Sequence, residues 1–340
     1  MEQHPVTTPK EVLPRFYEKT GERIMCKLCR HYCRLKDGQT GVCGVNKNEG
    51  GKLVNLVYGK PAALHIDPIE KKPLYHFLPG TGALSIGTVG CNMHCPFCQN
   101  WQLSQLRKVE QQDYISPSEM VQLALKHKAA TIAYTYNEPT IFYPYARDVA
   151  LEAQKHGIKN VFVTNGLESR EVIEDMRGII DAANVDFKAY DESYYRKVLK
   201  APFSVRETIK AMKEAGLWVE VTTLIIPGVN DEPEHLKKIA EFIANETGSG
   251  TPWHISAFHP DYKMTGTPPT PLTTLEQAYE TGKKAGLDFI YIGNAGVKNT
   301  TFCPNCNTSL IERAGYILLS YHIKNGKCYQ CQTQIPGVWN

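Results

Sequence analysis

The sequence contains no run of five or more like charges, and its net charge is only +3. Such a balance gives no indication of a nucleic-acid or charged-membrane partner. Also missing is an apolar stretch of the length a bilayer demands, about 20 residues. The first thirty residues are polar and broken by prolines, so they lack the apolar segment of a secretory signal. These absences make a cytoplasmic location the expectation. They also argue against disulfides, because a chain of 340 residues with no export signal has neither the compartment nor the small size of a disulfide scaffold. At this length one barrel-sized domain with appendages is the natural reading.

What is present is cysteine, eleven in all, in three groups. Cys91, Cys95 and Cys98 form C-x3-C-x2-C directly after the apolar, glycine-rich run 83–90. One tight loop can wrap three thiolates round a corner of an iron–sulfur cube. Cubes held by protein alone take four cysteines, so this loop implies an iron with an open site. Zinc sites come from paired C-x2-C knuckles, which a bunched triplet does not resemble. Cys26, Cys29, Cys33 and Cys43 form C-x2-C-x3-C-x9-C. Structural zinc is the preferred reading there. A second iron–sulfur cluster is the alternative, because that crowding is less typical of zinc ribbons. His31, surplus to four thiols, reads as a surface residue. Cys303, Cys306, Cys328 and Cys331 make two C-x2-C knuckles 21 residues apart, close to the zinc-ribbon template, with an iron–sulfur cluster as the weaker alternative. If all three groups bind metal, no thiol remains for catalysis. A radical relay would then use a tyrosine such as Tyr134, Tyr136 or Tyr190.

Between 83 and 293 short β-rich runs alternate with amphipathic helices. The runs are 83–89, 131–136, 160–164, 184–188, 218–226 and 253–258, with a seventh at 288–292. Ser116-Pro117-Ser118-Glu119 is a capping box with proline at the first helical position, and the segments at Ser204 and Asp231 follow the same logic. The fold class is therefore α/β, a partial (β/α)6-type barrel. Three regions follow: an N-terminal arm and four-cysteine metal module over 1–82, the barrel over 83–295, and a zinc-ribbon-like module over 296–340. Residues 1–20 read as an extended arm, 53–58 as a short strand, and 61–82 as a lead into the barrel.

In such barrels chemistry sits at the C-terminal strand ends. There the sequence places the Cys91–Cys98 loop, Asn137 and Glu138, Thr164 and Asn165, Asp186 and Lys188, Glu220 and Thr222, and His254 to His259. The cysteine loop, with Phe97 before its last cysteine, resembles the radical S-adenosylmethionine (SAM) superfamily, and the later spacing resembles enzymes of the pyruvate formate-lyase-activating type. The fused cysteine-rich N-terminus and Tyr136-Asn137-Glu138-Pro139-Thr140 are most similar to the radical SAM family of the AmmeMemoRadiSam system.

That resemblance implies a [4Fe–4S] cluster on Cys91, Cys95 and Cys98, with SAM chelating the fourth iron. It implies that Glu138 accepts from the methionyl amine, with Asn137 beside it, and that Thr164 and Asn165 line the ribose. Asp186 and Lys188 would contact SAM and substrate as the catalytic pair, and His259 would lie near the adenosyl group. It further implies a low-potential donor of ferredoxin or flavodoxin type, and Memo-like and AMMECR-like partners. Two departures stand out: Tyr136-Asn137 replaces a Gly-Gly pair, and Val163 replaces an acidic residue. Three functions are carried forward: radical catalysis on an unidentified substrate, glycyl-radical activation of a partner enzyme, and a non-catalytic metal-binding scaffold.

Overall fold

The structure, a computed structural model, describes residues 10–106 and 113–339. Residues 1–9 of the expected arm lie outside that range. From Lys10 onward the arm is instead strand and turn, because Val12 and Phe16 are fully buried. Lys10–Glu11, Asn46–Glu49 and Lys52–Asn55 make one small sheet; Tyr17–Thr20, Arg23–Cys26 and Arg34–Leu35 make another.

The main sheet has eight strands: Ala63–Pro68 (β1), Gly82–Gly87 (β2), Thr131–Tyr134 (β3), Lys159–Thr164 (β4), Ala182–Asp186 (β5), Trp218–Ile225 (β6), Trp253–Ala257 (β7) and Ile290–Gly293 (β8). They run in order from β8 to β1. All neighbours are parallel except β1, which pairs antiparallel with β2. Parallel strands covered on both faces carry near-continuous apolar runs. Lys159–Thr164 and Trp218–Ile225 fit this, and Val161, Phe162, Val219, Val221 and Ile225 are buried. The strand at 63–68 is not anticipated, since charged and exposed positions break its apolar pattern. It carries the sheet across the expected 82/83 boundary.

Helices fill the crossovers. The capping box forms at Ser116 with Glu119. It does not form at Ser204, whose side chain makes no cap bond, nor at Asp231, whose carboxylate accepts from Gly228 N instead.

The N-terminal end of the sheet is sealed. Residues 69–78 and the C-terminal module close over it, with Arg313 fully buried and donating to Tyr75 O at 2.7 Å and Thr301 Oγ1 at 3.0 Å. Glu220 lies at this end, not at the catalytic rim where the sequence reading places it. It sits near the start of β6, and its buried carboxylate accepts from Tyr75 N at 2.9 Å, His76 N at 2.8 Å and Trp218 Nε1 at 3.0 Å, with His254 Nε2 at 2.6 Å. His254 thereby belongs to the floor as well. In the C-terminal module, Ser309–Ala314 is paired on both sides, by Lys298–Phe302 and Ile317–Tyr321.

Removing a buried carboxylate strands every donor aimed at it. Glu220→Ala is expected to cost about 3–5 kcal/mol, read as a lowered urea midpoint with circular dichroism. An unchanged midpoint would show that the floor is not held this way.

Candidate functional site

The cysteine loop leaves the end of β2 through Gly87, Thr88, Val89 and Gly90. A Cβ at Gly87 would lie 2.9 Å from Thr135 O, so the next strand's loop packs directly on this backbone. Asn137 clamps the segment. Its Nδ2 donates to Gly90 O at 2.8 Å and to Thr88 Oγ1 at 3.1 Å, while Thr88 N donates to its Oδ1 at 3.2 Å. Asn137 also lines the cavity beside the thiols, so the same residue orients the backbone before Cys91 and borders the site.

Tyr136 takes φ +70°, the left-handed conformation that glycine adopts freely and a bulky residue resists. A tyrosine thus holds a glycine-like conformation at a position where the resemblance leads one to expect glycine. Two anchors hold it: its hydroxyl donates to Asp67 Oδ2 at 2.7 Å, and Lys72 Nζ sits 4.8 Å from its ring centroid. Burial alone would raise the Asp67 carboxyl, but bonds from Lys71, Lys72 and Tyr136 hold it well below its ordinary value.

Cys91, Cys95 and Cys98 border one cavity of about 260 Å³, together with Tyr136, Glu138, Asn165, Asp186, Lys188 and Thr222. Burial pushes the Cys95 thiol up to about 11, against the opposing pull of Lys188, and raises Cys91 too, with Glu138 adding to it. Thiolates are the metal-ligating form, so these sulfurs need a cation to be ionised in place. Ser104 Oγ lies 3.2 Å from Cys98 Sγ. Asn165 Oδ1 and Thr222 Oγ1 are buried acceptors on cavity-lining residues with no partner among the described residues. Three buried thiols with unsatisfied polar groups beside them fit an iron–sulfur cluster with a polar ligand at its open corner. A larger groove of about 800 Å³ runs outside the barrel past Arg170, Arg206 and Glu246, and no thiol lines it.

Glu138 lines the cavity yet is only 1% exposed. It accepts from Thr140 N at 3.1 Å, Thr140 Oγ1 at 2.6 Å and Asn165 N at 2.8 Å, and Thr164 Oγ1 is 3.0 Å away. A carboxylate has about four lone-pair directions, and these neighbours fill them. Glu168, not singled out from the sequence, completes the cluster. Thr164 Oγ1 lies 2.5 Å from Glu168 Oε1, and one hydroxyl proton cannot serve two carboxylates. Burial and the Glu138 charge push Glu168 up to about 8, so it carries the second proton. An acidic residue four positions beyond a strand-end threonine was the available signal.

Asp186 and Lys188 form the ion pair read from the sequence, Nζ to Oδ2 at 2.8 Å, on the cavity wall. Burial works against the ammonium, but Asp186 and Cys95 outweigh it and raise its pKa. His259 is exposed at the mouth and accepts from Gln99 Nε2 at 2.8 Å; it is not on the cavity wall. Trp101 stacks on Tyr262 with centroids 5.2 Å apart. His31 is half-buried, not simply a surface residue. Its Nε2 lies 2.8 Å from Asn92 O inside the cysteine loop, and burial lowers its pKa. Asn92 in turn accepts from Asn165 Nδ2 at 2.8 Å.

The eleven cysteines form no disulfide. The C-terminal four converge, with all sulfurs within 4.8 Å of one another. That geometry suits a metal ion. No helix among the described residues is long and apolar enough to cross a membrane.

Comparison with known proteins agrees with this geometry. Residues 85–243 match the family described as the radical SAM superfamily. An uncharacterised protein of Methanocaldococcus jannaschii is 41% identical over 332 residues, 95% of this chain and 98% of that protein. The benzylsuccinate synthase activating enzyme of Thauera aromatica is 22% identical, over 55% of this chain and 62% of its own. The pyruvate formate-lyase-activating enzyme of Clostridium pasteurianum is 19% identical, over 46% and 67%. Among solved structures, Streptococcus suis SuiB bound to S-adenosylmethionine aligns with TM-score 0.50 and 14% identity, over 66% of this chain and 53% of that one.

Two outcomes follow. The raised Glu168 pKa means that the folded state holds a proton the unfolded chain gives up above about 4.5. This contribution is full below that value. It is lost as pH rises towards 8, by at most about 1.4 kcal/mol per pH unit. Glu168→Gln should flatten this slope in unfolding measured from pH 5 to 8; an unaltered slope would refute the shared proton. Asn137→Ala leaves Gly90 O and Thr88 without their clamp and should cost about 1–3 kcal/mol, measured as a lower thermal midpoint.

Proposed function

Since this chain belongs to the radical SAM superfamily, with relatives of the pyruvate formate-lyase-activating kind, we propose that it is a cytoplasmic enzyme that cleaves SAM reductively and turns the radical on a substrate at the same cavity. A [4Fe–4S] cluster with bound SAM supplies a 5′-deoxyadenosyl radical that abstracts hydrogen from substrate. The observation that carries the reading is the loop itself. Three thiols border the cavity, and the same lining carries Asp186, Lys188 and the partnerless groups of Thr222 and Asn165.

Cys91, Cys95 and Cys98 would hold three irons. Lys188, kept charged by Asp186, offers a fixed cation to an anionic group of SAM or substrate. Asn165 and Thr164 border the ribose region, and Asn165 has a free acceptor for a hydroxyl. Asn137 positions the loop. Glu138 reaches the methionyl amine only by exchanging a bond from Thr140 or Thr164, so its first role is to hold the rim. His259 stands at the mouth, where it meets the adenosyl group or the incoming substrate.

The C-terminal four cysteines hold zinc in this reading. A Zn–S bond of about 2.3 Å in a tetrahedron sets sulfurs about 3.8 Å apart, and Cys303–Cys331 at 3.5 Å and Cys306–Cys328 at 3.7 Å suit that size. A low-potential donor of ferredoxin or flavodoxin type would deliver electrons. Arg30, Arg196 and Lys200 line an open groove complementary to an acidic protein. Memo-like and AMMECR-like partners rest on resemblance alone, and a pull-down recovering neither would remove them.

A second reading is activation of a partner enzyme by glycyl-radical formation. It is favoured by relatives named as activating enzymes for benzylsuccinate synthase and pyruvate formate-lyase. Anaerobic reconstitution followed by dithionite and SAM is expected to yield 5′-deoxyadenosine, with Lys188→Ala slower by about 100-fold. A loaded cluster that yields none would leave only the scaffold reading. Deuterium moving into 5′-deoxyadenosine from a labelled small molecule, or from a peptidyl glycine, separates the two catalytic readings.

A further inference from the structure

The chain contains its own yardstick for the N-terminal cysteines. Among the described residues, the C-terminal four are the set whose sulfurs all lie within 4.8 Å of one another. They are also built as zinc sites are built, from two separate C-x2-C knuckles. Cys26, Cys29, Cys33 and Cys43 differ on both counts. Three of them are bunched in eight residues, the same span as Cys91 to Cys98, with the two spacings in reverse order. The four converge closely enough that Cys29 feels the charge of each of the others. Yet no three of them draw together to the 4.8 Å of the C-terminal set, and neither do Cys91, Cys95 and Cys98. Four neighbouring thiols not gathered like the C-terminal set suit a cluster whose own irons and sulfides fill the centre.

Burial disfavours thiolates here, and donors at the sulfurs oppose it. Backbone N–H groups of Leu28, His31 and Val42 point at Cys26, Cys29 and Cys33, and Asn46 Nδ2 lies 3.5 Å from Cys43 Sγ. Hydrogen bonds to sulfur and limited solvent access are the levers that set a cluster's potential.

The position is equally specific. Gly90 has φ +88°, and a Cβ there would stand 2.6 Å from Cys43 O and 2.8 Å from Val45 Cγ1. The module therefore presses on the residue directly before Cys91. His31 holds Asn92 O, Arg30 N donates to Leu167 O at 2.8 Å, and Cys29 bridges to Glu168. A structural clamp could have been attached anywhere. This one is wedged between the cysteine loop and the Thr164–Glu168 rim.

We propose that Cys26, Cys29, Cys33 and Cys43 hold a second iron–sulfur cluster, not the zinc preferred from spacing alone, and that it is a close redox neighbour of the barrel's cluster. The test is a metal and sulfide count on the full chain after anaerobic reconstitution. Two four-iron clusters and a C-terminal zinc predict about eight irons and one zinc in the wild type. The variant C91A/C95A/C98A should keep about half the iron, with matching sulfide. Two zincs per wild-type chain, and no iron or sulfide in that variant, would overturn the proposal. Should the variant fail to fold, the wild-type ratio of iron to zinc still decides. Neighbourhood is read by electron paramagnetic resonance of the reduced protein. The wild-type signal is expected to be broadened beyond the sum of the C91A/C95A/C98A and C26A/C29A spectra, whereas a simple sum would overturn the close approach. Neither count nor spectrum depends on SAM cleavage, so failure of the proposed reaction leaves this result intact.

Discussion

Glu138 is a carboxylate withdrawn from water whose acceptor directions are filled by Thr140, Thr164 and Asn165. Ionised groups taken out of water cost several kcal/mol each unless hydrogen bonds replace the lost solvent. The donors therefore cannot drift, and they come from two successive strand ends. The turn after β3 and the turn after β4 are locked together by that requirement. Asn137, next in the chain, passes the constraint to Thr88 and Gly90, and so to the first ligand of the cysteine loop. Asn165 passes it to Asn92 inside that loop. The three thiols thus take their positions from a neighbouring strand's buried charge. Glu168 makes the arrangement tolerable by carrying a proton where a second anion would otherwise sit.

Much of this was legible in the sequence, for physical reasons that also mark where legibility stopped. The seven parallel strands are apolar, β-branched runs separated by amphipathic helices, and burial on both faces leaves that record plainly. Cys91, Cys95 and Cys98 are legible because three thiols in eight residues have few other uses. Asp186 and Lys188 are legible because a period of two puts them on one face. What the sequence does not write down is which end of a strand a polar residue faces. Glu220 and His254 therefore read as rim residues, although donors from 75 and 76 fix them in the floor. His31, Glu168 and Asp67 were missed for a related reason. Each acts through a partner at least four positions away, and for His31 and Asp67 more than sixty, so only folding brings the pair together. The boxes at Ser204 and Asp231 show the converse: a correct local pattern lost to competing contacts.

The two ends of the sheet have been given opposite characters. At the floor, Glu220 and His254 pair with each other, Arg313 donates to Tyr75 O and Thr301 Oγ1, and all three are buried beneath the C-terminal module, which keeps that end dry. At the rim, Asn165 and Thr222 keep unspent acceptors beside buried thiols. A protein can leave polar atoms unsatisfied where a ligand will meet them, provided the rest of the fold holds the site in shape. The N-terminal module belongs to the rim by contact, although it precedes the barrel in sequence.

Tyr136 shows what such a fold asks of its own substitutions. Its left-handed backbone is a conformation glycine would take without strain, and only the grip of Asp67 on its hydroxyl and of Lys72 on its ring makes a tyrosine acceptable. The three positions therefore cannot drift independently. Loss of Asp67 or Lys72 is permissive on a background with glycine at 136 and costly on one with tyrosine, so the order in which changes arrive decides which are accessible. The buried Asp67–Lys72 pair is in this sense tied to the side chain at 136.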